Sequence, residues 1–365
     1  MTYLFYFGHP SQYLFCRESI KRLAKSGDNK IVILIKTKDV LEYLLKNDGY
    51  EYINISPRER GKSKPSIALS LLRRNLKLLP ILLRTKPDLL IGTDASLAQL
   101  GRLLNINRIT IIEDDYSVIK TLGNLTYPFT KTILCPEVCD VGKWENKKTA
   151  YKGYMKLGYL HPNVFKPDGT ILSKYILPHK YVLIRLVRLT AHHDFGMKGI
   201  NRLLLDRLIS IIQGKGYKVL ISSEDNIDEK YRSFSLKIDP SDMHHVLARS
   251  SLLICDSQSM SVEAAMLGIP SLRYSSFAGQ ISVLEELEHV YNLTYGIKVG
   301  QESKLISKLS LLLNIDNLNQ EFQRRRQKML SDKIDVTGFL VWFIENYPQS
   351  VKTMKDTPGY QWKFK

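Results

Sequence analysis

The feature that most constrains this chain is an alternation, run through twice, of short apolar segments and longer amphipathic ones. Residues 3–7, 31–35, 52–55, 89–92, 109–112 and 132–135 are compact apolar runs and read as buried strands. Between them, 11–26, 40–47 and 96–104 carry helical spacing, as at Leu14, Phe15, Ile20 and Leu23. Strand and helix in this rhythm mean βαβ units and a parallel sheet. The rhythm pauses across 154–180, a stretch rich in Gly, Pro and His, and then restarts. Strands are expected at 181–186, 218–222 and 252–255, and helices at 199–213, 243–249, 259–267 and 336–346. The chain therefore predicts an α/β protein of two Rossmann-like, doubly wound domains facing a central cleft, at the carboxyl ends of both sets of strands. The expected division is 1–165, 166–335, and a terminal helix and tail at 336–365 that packs back toward the first domain. Beyond Pro348 the tail reads as peripheral.

Composition supports this division. At 365 residues the chain exceeds what one hydrophobic core usually serves. With 44% hydrophobic and 24% charged residues, wholesale disorder is excluded. No uncharged apolar run is long enough for a transmembrane helix, and the N-terminus reads as a strand rather than a signal peptide. Cys16, Cys135, Cys139 and Cys255 are too few for a disulfide scaffold. Cys135 and Cys139 lack a second Cys or His pair nearby, so no metal site is expected and a reducing cytoplasm fits. Lys and Arg number 53 against 36 Asp and Glu, a net charge of +17. That balance suits polyanions, anionic membrane surfaces or phosphorylated substrates, or solubility alone. It is densest at 58–86, where nine Lys or Arg stand with Glu59 as the single acid, interleaved with Ile and Leu. Such a stretch could lie on an anionic bilayer, or be a loop and a helix with its apolar stripe in the core. Nucleic acid is not an expected partner, because the basic residues are not interleaved with base-stacking aromatics.

Several strand ends carry chemistry. Gly8-His9-Pro10 follows the first strand, where Gly8 permits a tight turn and His9 could take a proton from a hydroxyl near neutral pH. His9 could equally be a loop histidine bonded to nearby backbone. No G-x-G-x-x-G occurs, so the dinucleotide fingerprint is absent. After the strand 252–255 comes Asp256-Ser257-Gln258-Ser259-Met260-Ser261-Val262-Glu263. With Ser257 or Ser259 as cap, the helix start over Ser259, Met260 and Ser261 would present N–H groups to a diphosphate. Glu263, one turn on, could accept hydrogen bonds from both hydroxyls of a ribose. Arg185 and Arg188 sit at a carboxyl strand end and suit phosphate, through the fixed fork of guanidinium donors. His192 and His193 are adjacent, point different ways and make a poor metal pair. Asp94, and the run Glu113-Asp114-Asp115, are carboxylates at strand ends that could supply an acid or base, or serve as helix caps and partners for basic residues.

The chain resembles a bacterial and archaeal family known as a domain of unknown function, with the fold of GT-B glycosyltransferases. The residues that carry the resemblance are Gly8-His9-Pro10, Tyr151-Lys152-Gly153-Tyr154, Tyr159-Leu160-His161-Pro162, Phe165-Lys166-Pro167-Asp168, the helix segment from Met260 to Ala265, and Leu267-Gly268-Ile269-Pro270. Parts of the pattern are similar to nucleotide-sugar-dependent GT-B enzymes, which implies a ribose-binding role for Glu263 and a base role for His9. Others are similar to UDP-N-acetylglucosamine 2-epimerases. Asp256, Ser257 and Glu263 match a helix start there, and Asp94 and the acids 113–115 match catalytic positions. The segment 190–196, with His192, resembles a substrate-binding stretch, but lacks its Arg-x-Glu-Asn core.

The resemblance implies a metal-independent, inverting glycosyltransferase using a nucleotide sugar, UDP-linked, as co-substrate, with no other cofactor. Catalytic candidates are His9, Asp94, Glu113 and Asp115, and substrate contacts fall to Gly8, Arg185, Arg188, His192, Ser257, Ser259, Met260, Ser261 and Glu263. The acceptor would be a saccharide or a lipid-linked sugar, met in the cytoplasm or at the inner membrane face in surface-polysaccharide or glycolipid synthesis. The alternatives are an epimerase of the 2-epimerase type and a nucleotide-sugar-binding protein without catalysis.

Overall fold

Tyr3, Leu4, Phe5, Tyr6 and Phe7 are buried in succession, the continuous apolar signature of a strand covered on both faces. In the computed structural model, which describes all residues except 39, 57–63, 187–198 and 224–226, they form β1 (Thr2–Phe7). It begins a seven-strand sheet with β2 (Lys30–Lys36), β3 (Ile53–Ser56), β4 (Leu89–Gly92), β5 (Asn107–Ile111), β6 (Thr132–Pro136) and β7 (Lys148–Tyr151). Its order is β3-β2-β1-β4-β5-β6-β7 and its pairings are parallel. A second, five-strand parallel sheet holds β8 (Tyr181–Leu186), β9 (Lys218–Ser223), β10 (Leu252–Cys255), β11 (Ser271–Tyr274) and β12 (Thr294–Ile297), ordered β12-β11-β10-β8-β9.

The chain divides into two compact units, Met1–Val164 with Lys333–Lys365, and Phe165–Asp332. Each sheet has one place where successive crossovers run in opposite directions. In the first it lies between β1 and β4, and in the second between β8 and β10. Side chains beyond the carboxyl ends of those strands flank a crevice in such sheets, and ligands of open α/β folds collect there.

Helices cover both sheets. Pro10–Lys25 buries Tyr13, Phe15, Ile20 and Leu23, and Lys64–Thr85 buries Leu78 and Leu82 in a cluster with Leu4, Leu34, Leu90 and Leu97. The expected strands at the sheet centres are present. Those not foreseen are short or broken by atypical residues: β7 is Lys-Thr-Ala-Tyr, β11 carries Arg273, and β12 carries Gly296.

The tail beyond Pro348 corrects an expectation, since it is packed rather than peripheral. Gln349–Asp356 is a helix that buries Ser350 and Met354. In the 3-10 turn that follows, Gln361 is buried and its Oε1 accepts the Lys152 N–H at 2.6 Å. Tyr360 stacks on Trp342 of the helix Val336–Glu345 at 4.7 Å. Sequence polarity concealed this, because the burial is made by aromatic rings and an amide spread among lysines.

Candidate functional site

At the β1 edge, the half-buried Gly8 donates its N–H to Gln12 Oε1 at 2.9 Å, closing the turn into the helix Pro10–Lys25. His9 is exposed and caps that helix. Its Nδ1 accepts the Ser11 N–H at 3.2 Å and lies 2.8 Å from the Ser11 hydroxyl. An imidazole nitrogen that accepts carries no proton, so the neutral ring is the Nε2–H tautomer. In this arrangement the ring proton sits on Nε2, and to serve as a base there His9 would first have to give up its cap.

The carboxylates at the neighbouring strand ends divide by environment. Asp94, beyond β4, caps the helix Ala95–Leu103 by accepting the Ser96 N–H at 2.8 Å, and lies 3.6 Å from Arg74. Beyond β5, Glu113 accepts the Met155 N–H at 2.6 Å and pairs with the buried Lys156 ammonium. Asp115 accepts the Asp140 N–H at 2.7 Å. All three are buried, and they pin the turn at 154–156 and the loop at 140 to the sheet. Asp114 is the exception. It is an exposed residue, yet desolvation of its carboxyl by the surrounding protein raises its pKa above the usual aspartate range, against the pull of Lys156 and with help from Glu113 and Asp115. Of the three consecutive acids, only the middle one is an exposed residue.

The second sheet builds a different edge. Ser257 caps the helix Gln258–Leu267, its hydroxyl accepting the Met260 N–H at 3.3 Å. Gln258 and Ser259 are half-buried at the helix start, where backbone N–H groups have no place in the helical ladder. The stretch from Ser259 to Ser261 does not present itself whole. Met260 is buried, and the Ser261 hydroxyl turns fully inward, 2.9 Å from Ser271 and 2.7 Å from Thr294. That hydroxyl triad ties the helix to β11 and β12, and the candidate donors at the helix start narrow to the half-buried Gln258 and Ser259.

Glu263, at 7% exposure, lies 3.5 Å from His244 Nε2. His244 comes from the helix Met243–Leu247, directly before β10. The neighbouring His245 stacks on Phe165 at 4.7 Å and its Nδ1 accepts the Asp168 N–H at 2.9 Å. Burial holds its pKa below the ordinary histidine value. His244 was not singled out from sequence, although an adjacent His pair just ahead of a buried strand was the available signal. Arg185, half-buried at the end of β8, donates from Nη1 to the Ser222 hydroxyl at 2.8 Å. Arg188 and His192 lie outside the described residues.

Arg273 also acts at this edge. It is fully buried on β11 and donates from Nη1 to Gln258 Oε1, while Gln258 Nε2 donates to the Ser275 hydroxyl at 2.6 Å. The relay fixes the side chain of the first residue of the helix. Among the described residues, Glu285, Glu288 and His289 could hold a cation, but Glu285 and Glu288 already accept the Gly279 and Gly296 N–H groups.

Two parallel-sheet α/β units of seven and five strands place the chain in the GT-B fold class. The chain belongs to the family described as Protein of unknown function (DUF354), whose sequence model matches residues 8–287. Structurally it is similar to the UDP-GlcNAc 2-epimerase of Methanocaldococcus jannaschii, at 14% identity and a TM-score of 0.63, over 91% of this chain and 100% of that one. It is similar to the UDP-GlcNAc 2-epimerase of Neisseria meningitidis bound to UDP-GlcNAc, at 13% identity and 0.65, over 94% and 99%. A spinosyn rhamnosyltransferase matches at 13% identity and 0.63, over 95% and 100%. At these identities the likeness is one of fold. No curated protein matches by sequence.

Proposed function

We propose that this protein is an inverting glycosyltransferase that uses a nucleotide sugar, UDP-linked, without a catalytic metal. The observation that carries the reading is the helix Gln258–Leu267, with its Ser257 cap, Glu263 one turn in and Arg185 at the adjoining strand end. The diphosphate would rest on the N–H groups of Gln258 and Ser259, where the helix dipole favours negative charge. Glu263 would take the ribose hydroxyls. In the transfer step the acceptor O–H gives up its proton, its oxygen bonds to the anomeric carbon, and the carbon–phosphate-oxygen bond breaks. The electron pair leaves on the diphosphate, where Arg185 and the helix start stabilise it. One displacement inverts the centre.

The first unit would supply the acceptor side. Asp114, exposed and raised in pKa, suits the proton-accepting role, while His9 in its capping tautomer suits donation to the acceptor or the sugar. The acceptor would be a saccharide or a lipid-linked sugar at the cytoplasmic membrane face. Epimerisation is the second reading, favoured by the acids Asp94, Glu113, Asp114 and Asp115 gathered at two adjacent strand ends. UDP-N-acetylglucosamine incubated without acceptor in deuterated water separates the two, because deuterium at the sugar C2 would mark the epimerase.

Glu263→Gln tests the donor site. Loss of a charged hydrogen-bond acceptor should weaken UDP-sugar binding by about 10- to 100-fold in calorimetry. Unchanged affinity would remove the ribose role. Tight binding with no turnover on any acceptor would leave a binding protein instead.

A further inference from the structure

The helix Lys64–Thr85 has two dissimilar faces. Its inner face is accounted for by Leu78 and Leu82 in the core and by Arg74, which turns inward to Asp94 and Ser96. Its outer face is apolar. Leu69, Leu72, Leu76 and Leu83 are 48%, 55%, 64% and 56% exposed. At about 100° per residue these four fall within roughly 60° of one another, opposite Leu78 and Leu82, and Pro80 is exposed beside them. From Leu69 to Leu83 the stripe runs about 21 Å along the axis. Arg73, Lys77 and Arg84, all exposed, line one side of it within roughly 40°. The sequence from 64 to 85 contains no Asp or Glu.

A surface helix normally shows water a polar face. A leucine stripe flanked by cations with no acid along the helix is instead the pattern of a helix lying in a bilayer interface, with its apolar groups among acyl chains and its cations among anionic headgroups. A second copy of the chain would have to bring four leucines against four leucines, with the basic flanks of a +17 molecule close together. We infer that this face docks the protein on an anionic membrane surface. No described helix is long and apolar enough to cross a membrane, so the contact would be peripheral. The inference stands apart from the proposed reaction, since it concerns a surface that includes none of the residues assigned to the donor or to proton transfer.

The test is co-sedimentation of the full chain with vesicles of phosphatidylcholine carrying about one-third phosphatidylglycerol, beside vesicles of phosphatidylcholine alone. Each cation near an anionic surface is worth roughly five-fold in partitioning, so the triple change Arg73→Gln, Lys77→Gln, Arg84→Gln should lower it by roughly 100-fold. The pair Leu72→Gln, Leu76→Gln should lower it by at least about ten-fold. Both sets are exposed, and unchanged thermal melting and donor binding would show the fold is kept. Binding to the mixed vesicles that is lost with either set and in about 1 M salt supports the inference. Three results overturn it: no binding to the mixed vesicles, binding indifferent to both sets of changes, or vesicle-independent dimers in ultracentrifugation that either set converts to monomers.

Discussion

Asp114 and His9 show how far a side chain's chemistry depends on its neighbours. His9 has the residue type of a base, but accepting the Ser11 N–H puts its proton on Nε2. Asp114 is a commonplace carboxylate made unusual by desolvation, which raises its pKa. A base acts only when deprotonated, so the transfer rate should rise with pH through a pKa above the ordinary aspartate value. Asp114→Asn should lower the maximal rate by about 100- to 10,000-fold and abolish that acid limb. His9→Ala should lower the rate but keep the limb. If the limb persists in the asparagine variant, Asp114 is not the base. Residue identity pointed to Ser257 as a cap of the helix Gln258–Leu267, and the structure has it there. The sequence offered the run Glu113-Asp114-Asp115 without separating its members, because which of three neighbouring acids is the exposed one depends on backbone direction. Nor did it announce His244 or Arg273, whose partners Glu263 and Gln258 both lie on a different element, the helix Gln258–Leu267.

At the level of elements, central strands were legible because burial on both faces writes an unbroken apolar run, as in β1, β4, β8 and β10. β12 was not, since Thr-Tyr-Gly-Ile gives up a side chain at Gly296, where a Cβ would sit 2.7 Å from Arg273 Nη2. Charged helices were equally opaque. Leu318–Ser331 is mostly polar, and its first turn carries Glu321, which bonds Arg324 at 3.0 Å and Arg325 at 2.8 Å. The two guanidinium groups, Arg324 first, hold the Glu321 pKa down to about 2. A depressed carboxyl stabilises the fold above its unfolded value of about 4.3 and loses that contribution as pH falls toward 2. Glu321→Gln should therefore cost at most about 1 kcal/mol at neutral pH, because the group is near the surface. The gap from the parent protein should close between roughly pH 4 and pH 2 in thermal melts. A gap constant across that range would show the ion pairs contribute nothing.

For the molecule as a whole, the division into two sheets was written in the restart of the βα rhythm after residue 180. The depth of the last segment's attachment was not. Gln361 holds the Lys152 N–H, and the Phe364 carbonyl accepts the Asp335 N–H at 2.6 Å. Ending the chain after Pro348 should lower the first unit's melting temperature by roughly 10 °C in calorimetry, from lost aromatic and apolar burial. No change would mean the segment is ornamental. The same attachment sets an order of events during synthesis. Phe165–Asp332 is contiguous and can close its sheet as soon as it clears the ribosome. Met1–Val164 emerges first, yet it must wait for Lys333–Lys365 before its native packing is complete. Of the two units, the one whose first segment is made earlier is thus the later to complete its packing.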